Sequence, residues 1–208
     1  MFFSGTFRHL PTFCLLAFTG SMAPLLSPQA NAEDQTIDTD RTTAIKTSNL
    51  LGDSGKLTIT ADGSITVANG APLTLDGNHT LLMQGDLTSN STLAGIGLKV
   101  DTGDDLRLTS GIDIEGSISV PGPDADTGDV NAASTNVGFG LYGTGIFDGD
   151  ISLTEDSTVT VGGGTAKGIY IGSDLEGDLT LAGTITMSGA GSIGVHIDGD
   201  VTGDVTVG

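Results

Sequence analysis

The chain has 208 residues, 33 of them glycine, with 7 Lys and Arg against 26 Asp and Glu, a net charge of −19, one cysteine and no tryptophan. That balance repels nucleic acid and anionic membrane surfaces, and a hydrophobic content of 37% excludes compositional disorder. Five of the seven phenylalanines (Phe2, Phe3, Phe7, Phe13 and Phe18) fall in the first eighteen residues, so the core has to be built from Val, Ile and Leu, which favours strands.

Residues 1–32 differ from the rest. They hold no acid, the single arginine Arg8, the apolar run LPTFCLLAF (Leu10 to Phe18) and the small-residue site Ala30-Asn31-Ala32, followed by the acidic EDQTIDTD. A basic start, a short apolar run and an A-x-A site predict a cleavable secretory signal, and the run is too short to span a bilayer. Cleavage after Ala32 removes Cys14 and Arg8, leaving a cysteine-free chain with six Lys and Arg and a net charge of −20. Residues 33–55 are expected to form an N-terminal cap or linker. Within them TTAIKTSNLL, Thr42 to Leu51, is ambiguous between helix and strand.

Residues 56–208 repeat. Val159-Thr160-Val161 matches Ile185-Thr186-Met187, Gly168-Ile169-Tyr170-Ile171 matches Gly194-Val195-His196-Ile197, and Gly177-Asp178-Leu179-Thr180-Leu181 matches Gly203-Asp204-Val205-Thr206-Val207, each at an offset of 26. One step earlier, Gly140-Leu141-Tyr142 and Gly149-Asp150-Ile151-Ser152-Leu153 align at an offset of 28. The unit persists more loosely as GLKV (Gly97–Val100), DLRL (Asp105–Leu108) and GSISV (Gly116–Val120). Each unit holds three short strands in which apolar residues alternate with Thr, Ser, Tyr or His, separated by glycine-rich turns. One such unit cannot bury its apolar face alone, but a stack of copies can. The predicted fold is all-β, a parallel β-helix of three-stranded rungs with a period of about 26 residues. An antiparallel sandwich would not demand constant register between units. PGPDADTGDVNAAST, Pro121 to Thr135, breaks the repeat and is expected to project as a loop.

The order of segments, ITADGSITVANGAPLTLDGNHTLLMQGDLT (Ile59–Thr88), GIGLKV (Gly95–Val100) and then GIYIGSDLEGDLTLAGTITMSGAGSIGVHIDGDVTGDVTV, resembles alphaproteobacterial autotransporter passengers. The resemblance covers essentially the whole chain and implies export by a signal peptide, display at the outer membrane or cell surface or secretion, and a downstream outer-membrane translocator barrel. Barrel-like alternating segments with aromatic girdles do not occur here, and the chain ends directly after a strand, so it is expected to be a piece truncated at its C-terminus. The expected role is structural or adhesive, a stalk or adhesin without catalytic activity, whose ligand is a host surface or a polysaccharide. The rivals are a β-helical lyase or hydrolase acting on acidic polysaccharide and a calcium-dependent surface-layer component.

Candidate sites are few. Asp124, Asp126 and Asp129 in DADTGD suggest a calcium loop, although Asp129 and Thr135 stand where an EF-hand needs Gly and Glu. Asp150, Asp178 and Asp204 occupy one place in successive units, where stacking brings carboxylates about 5 Å apart; they must splay into water, share a cation such as calcium, or take up a proton. Tyr142, Tyr170 and His196 share the outward position of G-Φ-x-Φ, with Lys99 in the looser copy, and form a candidate face for sugar rings or a partner. GFGLYG (Gly138–Gly143) fits a dinucleotide pattern but precedes another strand rather than a helix, and GGGTAKG lacks the order of a phosphate-binding loop. No catalytic residue or organic cofactor is expected.

Overall fold

A computed structural model of the chain describes residues 33–104, 106–122 and 135–208. The expected signal peptide and the centre of the expected loop lie outside the described residues. The first coil carries β1 (Gln35–Ile37), β2 (Asp40–Arg41) and β3 (Ile45–Lys46), closed by one helical turn, α1 (Thr47–Leu51). The second carries β4 (Ser54–Ile59), β5 (Ser64–Val67) and β6 (Leu73–Leu75). The third carries β7 (Asn78–Met83), β8 (Asp86–Ser89), β9 (Ile96–Asp101) and the short β10 (Arg107–Thr109). In the fourth are β11 (Ile112–Ile114), β12 (Ser117–Val120), β13 (Val137–Tyr142) and β14 (Ile146–Asp148). The fifth repeats this with β15 (Ile151–Leu153), β16 (Thr158–Gly162), β17 (Lys167–Ile171) and β18 (Asp174–Glu176). In the sixth are β19 (Leu179–Leu181), β20 (Thr184–Ser188) and β21 (Ile193–Ile197), and β22 (Val205–Val207) continues the first face.

Every pairing is parallel, and each strand pairs with its counterpart one coil away, which makes the chain a parallel β-helix. The faces run β1-β4-β7-β11-β15-β19-β22, β2-β5-β8-β12-β16-β20 and β3-β6-β9-β13-β17-β21. Alternation sends every second residue inward, so columns of like side chains form. Leu57, Leu81, Ile112, Ile151 and Leu179 stack on one face in register and are all buried. Each such side chain contributes about 1.5–3 kcal/mol of burial. Thr160 pairs with Thr186 and Thr180 with Thr206 on the outside, as the 26-residue offset requires.

The structure adds to the three-strand unit in two respects. From the third coil onward a fourth face appears, β10-β14-β18, extended by a bridge from Leu175 to Val201. It holds one column, Leu108, Phe147 and Leu175, and Arg107 clips it from outside by pairing with Asp148 (3.2 Å) and Glu176 of the next two coils. With a single inward residue per strand there is no alternation to find in the sequence. Arg107 and Leu108 accordingly belong to this face; the counterpart of Ile151-Ser152-Leu153 is Ile112-Asp113-Ile114. Second, most of the expected cap or linker at 33–55, residues 33–53, is an integral first coil, with β1 bonded to β4 and β3 to β6. Coil length explains why the 26-residue period fades upstream. Along the first face the step is 22 residues at Gln35–Leu57, 24 at Leu57–Leu81, 31 where β10 is added, 39 where the insertion falls, then 28 and 26. The insertion leaves between β12 and β13, a corner between two faces, and disturbs the register of neither.

The glycine of G-Φ-x-Φ has a steric cause. A Cβ on Gly97, Gly138 or Gly168 would lie 2.1, 2.4 or 2.6 Å from a methyl of Ile118, Val159 or Ile185 respectively, because these glycines sit at the corner where the neighbouring face sends its side chains inward. Positive φ applies instead to the glycine of Gly-Asp, at 147° in Gly149 and 154° in Gly177.

Candidate functional site

The outer side of β9, β13, β17 and β21 carries the candidate face. Phe139, Leu141, Ile169 and Ile171 fill the interior, so the residue between each pair points out. Register places Lys99, Gly140, Tyr170 and His196 in one row. Tyr142 is therefore not the register partner of Tyr170: it pairs with Asp101, two residues beyond the position that the 28-residue offset assigned, and the step between these coils is 30. GFGLYG contains two overlapping G-Φ frames, and the frame that places Phe139 in the core and Gly138 against Val159 is the one that packs.

The aromatic ladder survives this shift because glycines make room for it. The Tyr142 ring folds back over Gly140, where a Cβ would lie 2.3 Å from it, and the Tyr170 ring leans over Gly172, where the distance would be 2.7 Å. The two tyrosine rings then meet at 5.3 Å between centroids with a tilt of 55°, and Tyr170 meets His196 edge-on at 5.7 Å and 67°. Distances and angles of this kind are attractive for aromatic pairs. Structure thus brings together all three residues of the expected face.

Their electrostatics are specific. The Lys167 ammonium stands 3.9 Å over the centre of the Tyr170 ring, and that of Lys99 is 5.8 Å from the Tyr142 ring and 2.6 Å from the Asp101 carboxylate. Lys99 donates to Asp101 and holds its carboxyl below the usual carboxylate range. Burial, reinforced by Tyr170, pushes the Tyr142 phenol up from 10.0 to about 12. Tyr170 is also raised, first by burial and then by its hydrogen bond to Asp198, whose carboxylate lies 2.9 Å from Nε2 of His196. Lys167 forms no ion pair among the described residues. Beside it opens a cup of about 200 Å³, lined by both tyrosines, Lys167, Thr135, Asn136 and Thr165.

The repeated aspartates form a different device. The Asp150 carboxylate accepts the backbone N–H of Asp178 at 2.9 Å, and the Asp178 carboxylate accepts that of Asp204 at 2.9 Å. Each acid therefore ties the start of one strand to the coil below, with an amide donor offsetting the proximity of like charges. The Asp174 carboxylate does the same, accepting the backbone N–H of Asp200 at 3.0 Å. Among the described residues no group of three His, Cys, Asp or Glu side chains converges to hold a metal ion. Asp124, Asp126 and Asp129 lie outside the described residues.

Two residues with structural roles carry no signal in the sequence. Asn136 is fully buried at the foot of the cup, where its carbonyl accepts from Gly95 N–H at 2.7 Å and its amide donates to Gly162 at 2.9 Å, pinning three successive coils. His79 is equally buried, 2.8 Å from Thr47 Oγ1 and with Nε2 3.0 Å from the Gly52 carbonyl, and so holds both ends of α1. No protein-family profile, curated protein or solved structure matches the chain.

Proposed function

We propose that this chain is the exported passenger of an autotransporter-type protein, a surface-displayed β-helical stalk or adhesin. The observation that supports it is the uninterrupted in-register stack: a first face of seven parallel strands whose coils all hydrogen-bond to their neighbours. A solenoid of this kind gains about 4.8 Å of reach per coil, and it keeps loops and outer side chains free for contact. The role is mechanical and adhesive, with Tyr142, Tyr170 and His196 as the contact face. Export uses the signal peptide at 1–32, and an outer-membrane barrel of the longer protein supplies the translocator.

The native gene product in its own cells tests this. Protease added to intact cells should remove the epitope of residues 33–208, and antibody should label the cells without permeabilisation. Protection of the epitope until the outer membrane is opened would refute surface display. Unchanged adhesion to a host-cell or glycan-coated surface after the coils are deleted would refute the adhesive role.

A further inference from the structure

Charge on this molecule is overwhelmingly negative, with 26 acids against 7 Lys and Arg, so a cation that pairs with no carboxylate among the described residues requires a reason. On the candidate face the acids are already engaged: Asp101 by Lys99, and Asp198 by the Tyr170 hydroxyl and His196. The Lys167 ammonium is held instead over the Tyr170 ring at 3.9 Å, on the rim of the cup. A ring face orients an ammonium without neutralising it, so the positive charge stays available to an incoming anion. The walls are tied into the stack. Asn136 fixes the foot of the cup to the coils on either side through two buried hydrogen bonds, and the tyrosine rings are packed over Gly140 and Gly172.

We propose that this cup is a subsite for a sugar ring bearing one carboxylate, which sharpens the adhesive reading above and rests on it. Tyrosine faces and edges supply the apolar wall against which the C–H side of a sugar packs, and Lys167 takes the carboxylate. At about 200 Å³ the cup is smaller than a pocket that encloses a whole small molecule, which suits one residue at the end of a longer glycan. Tyr142, with its phenol raised to about 12, stays neutral in any physiological medium and adds no charge opposing the anion. A long polyanion is disfavoured by the net charge of −19, so the ligand is a glycan end rather than a polyuronate chain.

The test is calorimetric titration of the purified full chain with a disaccharide ending in glucuronic acid and with its glucose-ended counterpart. The acidic sugar should bind about tenfold more tightly, the margin expected of one charge-assisted hydrogen bond. Lys167→Met keeps the apolar stem on the Tyr170 ring and should abolish that margin. Tyr142→Ala should weaken both sugars, with circular dichroism confirming the fold. Equal binding of the two sugars, absence of binding by folded protein, or an unchanged margin in Lys167→Met would overturn the proposal, as would equally tight binding of a glutamate-containing peptide. The purified chain reports nothing about localisation, so failure here and failure of surface display are separately visible.

Discussion

Gly168 and Gly194 occupy the same place in two copies of one motif, yet in a protein made of these 208 residues by themselves, where Gly194 lies in the last coil, the same substitution should have opposite effects. A Cβ at Gly168 would lie 2.5 Å from the carbonyl oxygen of Gly194, 2.6 Å from Ile185 Cγ2 and 3.2 Å from Met187 Sδ. The carbonyl belongs to the next coil, whose spacing is set by backbone hydrogen bonds such as Ile193 N–H to Ala166 at 2.9 Å, so it cannot retreat on its own. Gly168→Ala therefore forces overpacking and costs about 1–3 kcal/mol. For a chain of this size that lowers the thermal midpoint by about 2–12 °C. At Gly194 a Cβ meets no atom within 4 Å, and neither glycine lies in the left-handed region. Gly194→Ala should accordingly be neutral or stabilising by about 0.4–1 kcal/mol, through loss of freedom in the unfolded chain. Thermal and urea unfolding followed by far-ultraviolet circular dichroism would measure both. Equal destabilisation by the two variants would show that the motif glycine serves backbone conformation rather than space, and would refute the steric account.

Further outcomes follow from the same structure. Asn136→Ala removes the acceptor of Gly95 N–H and a donor to Gly162, both inside the stack, and should cost about 2–4 kcal/mol in urea unfolding. Asp178→Ala should lose about 1 kcal/mol as the Asp204 amide loses its acceptor, whereas Asp178→Asn keeps an acceptor and should be nearly neutral; a melting temperature that rises with calcium only while Asp178 is present would instead make this acid a metal ligand. The chain has two tyrosines, and phenolate absorbance should show one titrating near 12 in the folded protein and both near 10 in urea. Because the folded pKa of Tyr142 is the raised one, its contribution to stability is complete below pH 10 and is lost as pH climbs through about 12, so Tyr142→Phe should flatten the alkaline fall in urea midpoint. Sequencing of the exported protein should begin at Glu33; an uncleaved N-terminus would refute the signal peptide.

Much of the fold was legible because a strand exposes its pattern every second residue. In a stack the same position recurs once per coil, so Val159 over Ile185 and Leu179 over Val205 can be read directly from the offset of 26. The fourth face was not legible, since Phe147 and Leu175 are single inward residues between acids and turns, a pattern shared with any loop. The outward face was half legible. Tyr170 and His196 follow from the period, but the placement of Tyr142 turns on the frame: Gly138-Phe139-Gly140-Leu141 completes the motif, whereas Gly140-Leu141-Tyr142 is followed by Gly143 and matches only its first part.

Alternation and glycine spacing alone determined that this chain coils into a parallel stack with an aliphatic interior, because only repetition lets such short strands bury their apolar sides. Tertiary packing decided the rest. The corner contacts of Gly138 with Val159 and Val161 chose the frame of β13, and that choice displaced Tyr142 along its strand and folded its ring back over Gly140. Lys167 and Tyr170 share β17, and they meet Asn136 at one cup because β13 pairs with β17 at a step of 30, which the 26-residue period does not give.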